Sequence, residues 1–147
     1  MLHGESGEWK AFNAADGLGL RMLQDAGVKV ALLSGRASEI VERRGRELRL
    51  ALVVQGRSDK RAAFPEVCAQ LGVTTDCAAY MGDDLVDLPA LRAAGFSAAP
   101  ADARREVREA VDYVSAAGGG RGAVRDLCEE LLRRMGRWEE IVRSYHA

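Results

Sequence analysis

Short apolar runs at residues 28–33, 50–54, 77–81 and 96–99 alternate with segments of helical period, and that alternation constrains the fold most. The first, Val28-Lys29-Val30-Ala31-Leu32-Leu33, is nearly all apolar. Such a run fits a strand buried on both faces of a parallel sheet. Helices are predicted over 17–26, 38–48, 59–71 and 88–94, with Gly27, Gly72 and Gly95 as stops. A helix over 103–110 and a short strand over 112–115 continue the pattern. After Gly118-Gly119-Gly120 comes a helix from 123 to about 135, in which Val124, Leu127, Leu131 and Met135 recur at i+3 and i+4. Strand and helix in this order predict an α/β fold, a mostly parallel sheet with helices on both faces. No linker, repeat or low-complexity segment interrupts the 147 residues, so one domain over 1–147 is expected.

Composition removes some function classes. A net charge of −1 gives no footprint for a nucleic-acid or membrane partner. No apolar run approaches the ~20 residues that span a bilayer. The first residues lack the basic and apolar regions of a signal peptide, so a cytoplasmic location is expected. Cys68, Cys77 and Cys128 form no CxxC pair and sit in apolar contexts, so they are expected to be buried, reduced thiols. His3 and His146 lie near the two ends, which argues against a histidine zinc site or triad.

In open parallel sheets, ligands bind outside the carboxyl ends of the strands. The polar turns Ser34-Gly35-Arg36, Gln55-Gly56 and Gly82-Asp83-Asp84 all follow apolar runs and so fall at that edge. Their coincidence points to one site. Asp83, Asp84 and Asp87 would repel one another unless a cation sits among them, and a hard divalent ion such as Mg2+ is the natural partner for carboxylate oxygens. An acidic turn that simply caps the next helix would use the same residues. The Ser34 hydroxyl and the Gly35 N–H can both donate to a phosphate oxygen, or form an empty Ser-Gly turn. Arg36 can add a forked anion contact or lie in solvent. Lys60 opens a helix, where a cation opposes the macrodipole; either a neighbouring group requires its charge or it is simply exposed. Phosphate donors, a cation site and a lysine are parts for phosphoryl transfer.

The order Ser34, Lys60, then Gly82-Asp83-Asp84-Leu85-Val86-Asp87 resembles motifs two, three and four of the haloacid dehalogenase (HAD) superfamily. Residues 10–19, Gln55-Gly56 ahead of Asp59-Lys60, residues 119–125 and Gly136-Arg137-Trp138 are similar to segments of its small, capless sugar-acid phosphatases, of the 3-deoxy-D-manno-octulosonate 8-phosphate (KDO 8-phosphate) phosphatase type. The resemblance implies a Rossmann-like fold and Mg2+-dependent hydrolysis of a sugar-acid phosphate through an aspartyl-phosphate, in lipopolysaccharide biosynthesis. It also implies a homotetramer whose hairpins help close neighbouring active sites. By position, Ser34 and Gly35 would bind the phosphate, Lys60 would be the catalytic cation that neutralises the phosphate and the nucleophile, and Asp83 would bind the Mg2+, with Asp84 and Asp87 in support. Arg36 and Arg125 are candidate contacts to the sugar acid. The hairpin would be represented only by a strand around residues 8–12, with Trp9 at a subunit contact.

The chain departs from the family at one motif. The family begins with a strand ending in Asp-x-Asp-Gly, whose first Asp is the nucleophile and second the general acid/base; no Asp-x-Asp occurs in the 147 residues. Without that strand, an apolar slot and unpaired strand edges are expected in the sheet. Three explanations stand: a truncated phosphatase, a natural short form that binds but does not hydrolyse, and a site completed by another chain. A phosphatase for 9-phosphates of nonulosonic acids is an alternative within the same fold, and a nucleotide-binding module is disfavoured because no Gly-x-Gly-x-x-Gly follows a strand. The glycine cluster before the last long helix can be a flexible connection or a loop that reaches a neighbouring site. Trp138, Ile141, Val142 and Tyr145 are expected to form a packing or subunit-contact stripe rather than a substrate platform.

Overall fold

The computed structural model describes residues 1–4 and 7–147. Its parallel strands fall in two pieces. β3 (Ala31–Leu33) pairs with β4 (Leu52–Val54), and β5 (Ala79–Met81) pairs with β6 (Phe96–Ala99), which pairs with β7 (Tyr113–Val114). An antiparallel hairpin of β1 (Leu2–His3) and β2 (Trp9–Lys10) precedes them. Helices α1 (Ala14–Asp25), α2 (Glu39–Glu47), α3 (Lys60–Leu71), α4 (Leu88–Ala93), α5 (Arg105–Arg108), α6 (Ala123–Arg134) and α7 (Trp138–Ser144) connect or follow the strands.

Local chemistry sets these boundaries. Asn13 caps α1, its Oδ1 accepting the N–H groups of Ala15 (2.8 Å) and Asp16 (3.3 Å), so the helix starts three residues before the predicted 17. Asp59 caps α3 in the same way, and Gly72, at φ 76°, closes it. The strands are shorter than their apolar runs: Val28 and Val30 instead join the partly buried residues packed around Met22, Leu23, Cys128 and Leu132. That cluster is the contact between α1 and α6. Gly19 permits it, since a Cβ there would meet the Cys128 Cβ at 3.1 Å and the Arg125 Cα at 3.2 Å.

The break in the sheet falls between β3 and β5. Val30 O accepts from Ala51 N and Ser34 N donates to Val54 O, which turns the even-numbered residues of β3 toward β4. Ala31 and Leu33 therefore present their backbone groups to the other side. On β5, Gly82 N donates to Ala98 O and Ala78 O accepts from Phe96 N, so Ala79 and Met81 face away from β6. Among the described residues no strand pairing joins β3 to β5. The expected unpaired edges are present, and α3 lies across both pieces. Its Phe64 and Cys68 form a cluster with Ala90 that takes in Leu33 from β3 and both Ala78 and Tyr80 from β5.

Three expectations need correction. The hairpin is not a lone strand, because β1 pairs with β2 in the register Leu2↔Lys10 and His3↔Trp9; residues 5 and 6 lie outside the described residues. Cys77 is exposed, whereas Cys68 and Cys128 are buried; a 3-10 turn at Thr75–Cys77 holds it ahead of β5. The buried face of α6 runs through Ala123, Leu127, Cys128 and Leu132, which leaves Met135 exposed at the helix end. In the last helix Trp138 and Ile141 pack on α6, as a packing stripe would, and Tyr145 lies past its end and is exposed. Among the described residues no helix is long and apolar enough to cross a membrane.

Candidate functional site

The turns at the carboxyl ends of β3 and β4 are stitched together. Ser34 N donates to Val54 O at 2.8 Å, and Ser34 O accepts from Arg57 N at 3.1 Å. Within its own turn the Ser34 hydroxyl donates to Arg36 O (2.9 Å) and accepts from Arg36 N (3.2 Å). Ser38 holds the N-cap position of α2 without capping it; its hydroxyl donates instead to Glu8 Oε2 at 2.7 Å. Gln55 Oε1 accepts the Ser38 N–H at 2.9 Å, and Gln55 Nε2 donates to Glu42 Oε2 at 3.3 Å. The exposed Arg36 lies close enough to Glu8 to help hold that carboxyl below its usual range, after Lys10 and Ser38.

Lys60 reaches the same edge from the first turn of α3. It is buried, 6% exposed, and its Nζ donates to Leu33 O at 2.8 Å, on the unpaired side of β3. Burial lowers its pKa, while the charges of Asp87 and Asp83 pull it back up. Lys60 Nζ stands 3.9 Å from Asp87 Oδ1.

The acidic residues divide into three roles. Asp87 is buried and organises the turn: Oδ2 accepts from Asp83 N (3.1 Å) and Asp84 N (3.3 Å), and Oδ1 accepts the Tyr80 hydroxyl (2.9 Å). Asp84 caps the 3-10 turn Leu85–Asp87 by accepting from Leu85 N at 2.7 Å, so the capping reading holds for this residue. Asp83 spends only backbone groups on structure: besides its N–H on Asp87, its carbonyl accepts from Arg104 N at 2.9 Å. Its carboxyl pKa is raised by burial, then by the charges of Asp87 and Asp84. A divalent cation beside it would offset the repulsion, so Asp83 fits a hard ion as one oxygen ligand. Among the described residues no group of three or more His, Cys, Asp or Glu is placed to hold a metal, so Asp83 does not complete a coordination sphere with them.

Ser34, Lys60, Asp83, Asp84 and Asp87 thus lie on one sheet edge. Arg125 is not brought to them by any described contact. Its Nε pairs with Glu129 at 2.7 Å, its guanidinium lies 5.8 Å from the Trp138 ring centroid, and its N–H donates to Asp16. The glycine loop is tied down, Gly119 N donating to Asp102 Oδ1 at 2.8 Å.

A sequence model of the haloacid dehalogenase-like hydrolases matches residues 7–95. The chain is 45% identical over 128 residues to the 3-deoxy-D-manno-octulosonate 8-phosphate phosphatase of Haemophilus influenzae, covering 87% of this chain and 71% of that protein. The chain belongs to the haloacid dehalogenase-like hydrolases. Its fold matches the Moraxella catarrhalis phosphatase of the same name, solved with magnesium ion, phosphate ion and a KDO molecule, at TM-score 0.91 and 36% identity over 98% of this chain and 83% of that one. The cobalt-bound Haemophilus influenzae enzyme matches at TM-score 0.88 and 43% identity, over 94% and 82%.

Two features of this HAD-like hydrolase escaped the sequence reading. Tyr80 sits inside an apolar run, yet its hydroxyl is the partner of Asp87; a tyrosine two residues before a Gly-Asp turn is the available signal, because buried phenols seek an acceptor. The Glu8–Ser38–Gln55 connection joins three segments distant in sequence, and no local pattern marks it.

Proposed function

We propose that this chain carries the phosphate- and cation-binding side of a Mg2+-dependent phosphatase site for a sugar-acid phosphate monoester, with KDO 8-phosphate as the leading substrate. The observation that carries this reading is the buried Lys60 ammonium, flanked by the Ser34 turn on β3 and the Asp83 turn after β5. The Haemophilus and Moraxella relatives support the substrate class.

In this reading the Ser34 hydroxyl and Gly35 N–H donate to phosphate oxygens. Lys60 has three N–H donors and gives one to Leu33, which leaves two for an anion. Asp83 is a Mg2+ ligand, Asp87 fixes the turn that presents it, and Asp84 shapes the same turn. Bound Mg2+ would supply charge neutralisation at the phosphate oxygens. The sugar-acid carboxylate is assigned to Arg36, since the Arg125 guanidinium is committed to Glu129 and Trp138. The same reading makes the protein a cytoplasmic homotetramer, with the β1–β2 hairpin and the exposed Trp9 at the subunit contact.

Asp-x-Asp is absent from the 147 residues, so on their own they are expected to hydrolyse a phosphate monoester at close to the uncatalysed rate. The second reading, a HAD-fold binding protein without hydrolysis, uses the same phosphate and cation contacts. Calorimetry tests the shared half-site. Mg2+ should bind the 147-residue protein weakly, more tightly when inorganic phosphate is present, and not at all measurably in Asp83→Asn. Micromolar Mg2+ affinity without phosphate would contradict a site with one carboxylate ligand, and identical binding by Asp83→Asn would remove Asp83 from it.

A further inference from the structure

Lys60 and Asp87 are both buried and oppositely charged, yet Nζ and Oδ1 stand 3.9 Å apart. That is beyond hydrogen-bond length. In a poorly solvated environment such a pair gains from closing up unless other contacts hold it open. Four hydrogen bonds do so here. Leu33 O draws Nζ toward β3 at 2.8 Å. The N–H groups of Asp83 and Asp84 pin Oδ2. The Tyr80 hydroxyl occupies Oδ1 at 2.9 Å, on the oxygen nearest the lysine.

The tyrosine is built to keep that place. Its ring meets Phe64 edge-on, with centroids 5.1 Å apart and planes at 66°, and Phe64 is 4% exposed. Burial and the neighbouring Asp87 push the phenol pKa up, so the hydroxyl remains a donor. Asp87 therefore has a satisfied oxygen facing Lys60, and it need not take one of the ammonium's protons.

We propose that Tyr80 is a positioning residue: its hydroxyl holds Asp87 off Lys60 and so leaves the lysine's free N–H donors for an anion at the sheet edge. This rests on the reading of Lys60 and Ser34 as phosphate contacts. Without the hydroxyl, Oδ1 loses its donor, and Lys60 is the charged donor closest at hand. The lysine then becomes a structural ion pair and a poorer phosphate ligand.

Tyr80→Phe keeps the ring and its packing while deleting the hydroxyl. Two measurements on the 147-residue protein test the proposal: inorganic phosphate affinity by 31P NMR titration, and the Lys60–Asp87 separation in the crystal structure of the variant. The expected results are phosphate binding weakened about tenfold, the equivalent of one modest hydrogen bond, and closure of Nζ to Oδ1 to about 3 Å. Melting temperature should change little, because Lys60 replaces the lost donor. Phosphate affinity equal to the parent's, or a separation that stays near 3.9 Å, overturns the proposal. A lowered melting temperature with unchanged affinity does the same, since it marks a purely structural hydroxyl. If the parent protein binds no phosphate, the phosphate-site reading fails, and the separation in the variant still decides whether Tyr80 holds the pair apart.

Discussion

Gly82→Ala should unseat the side chain on which the acidic turn depends. A Cβ at Gly82 would run into the Asp87 Cβ and Cγ and come within 2.8 Å of its Oδ2. Asp87 is 6% exposed and is held between the backbone N–H groups of Asp83 and Asp84 and the Tyr80 and Lys60 side chains, so the carboxylate has to leave its place. Displacement breaks its bonds from Asp83 N, Asp84 N and the Tyr80 hydroxyl. Hydrogen bonds to a charged group contribute about 1.5–3 kcal/mol each and are not additive, so a loss of about 3 kcal/mol is expected. For a domain near this size that corresponds to a fall in melting temperature of about 6–12 °C. Gly35→Ala is the control for stability. It lacks positive φ, and its nearest contacts are Ser58 Cα at 3.8 Å and Arg57 O at 3.9 Å, so it should melt within about 2 °C of the parent. Chemical and thermal unfolding of the three proteins makes the comparison. A Gly82→Ala protein that loses less than about 1 kcal/mol would refute Asp87 as the keystone of the turn.

Asp83→Asn should stabilise the metal-free protein, because the native carboxyl pKa is raised and the fold therefore holds the charged form at a cost. The native state binds the Asp83 proton more readily than the unfolded state, so the cost is relieved as pH falls from the raised native pKa toward the ordinary value of about 3.9. A pH series of melting temperatures should show this contribution in the parent and not in the variant, and Mg2+ should raise the melting temperature of the parent alone. Lys60→Met should keep the fold while phosphate binding measured by 31P NMR is lost. The Lys60 pKa is lowered in the folded state, so the unfolded state binds more protons over the interval up to about 10.4, and parent stability should rise with pH there, a slope that the Met variant lacks.

The α/β class and the sheet edge were legible because buried parallel strands read as apolar runs and their carboxyl ends as polar turns. Asp59 and Gly72 marked both ends of α3. The ends of the strands were less legible: Val28 and Val30 read as strand, but they pack against the α1–α6 cluster outside β3. The division of labour among the acids was hidden as well. Asp83, Asp84 and Asp87 are chemically alike, and only the fold shows that Asp84 caps, Asp87 faces inward and Asp83 keeps its carboxylate uncommitted. The hairpin depended on Leu2 and His3 finding Trp9 and Lys10, a pairing that two-residue strands do not announce.

The most direct measurement is phosphate release from KDO 8-phosphate with Mg2+, comparing the 147-residue protein with a form extended upstream through its genomic reading frame. The account predicts turnover by the extended form, loss of that turnover when its nucleophilic Asp is changed to Asn, and a rate near background for residues 1–147. Absence of hydrolysis by either form, on KDO 8-phosphate and on nonulosonic acid 9-phosphates alike, would contradict it and leave a HAD fold kept for binding.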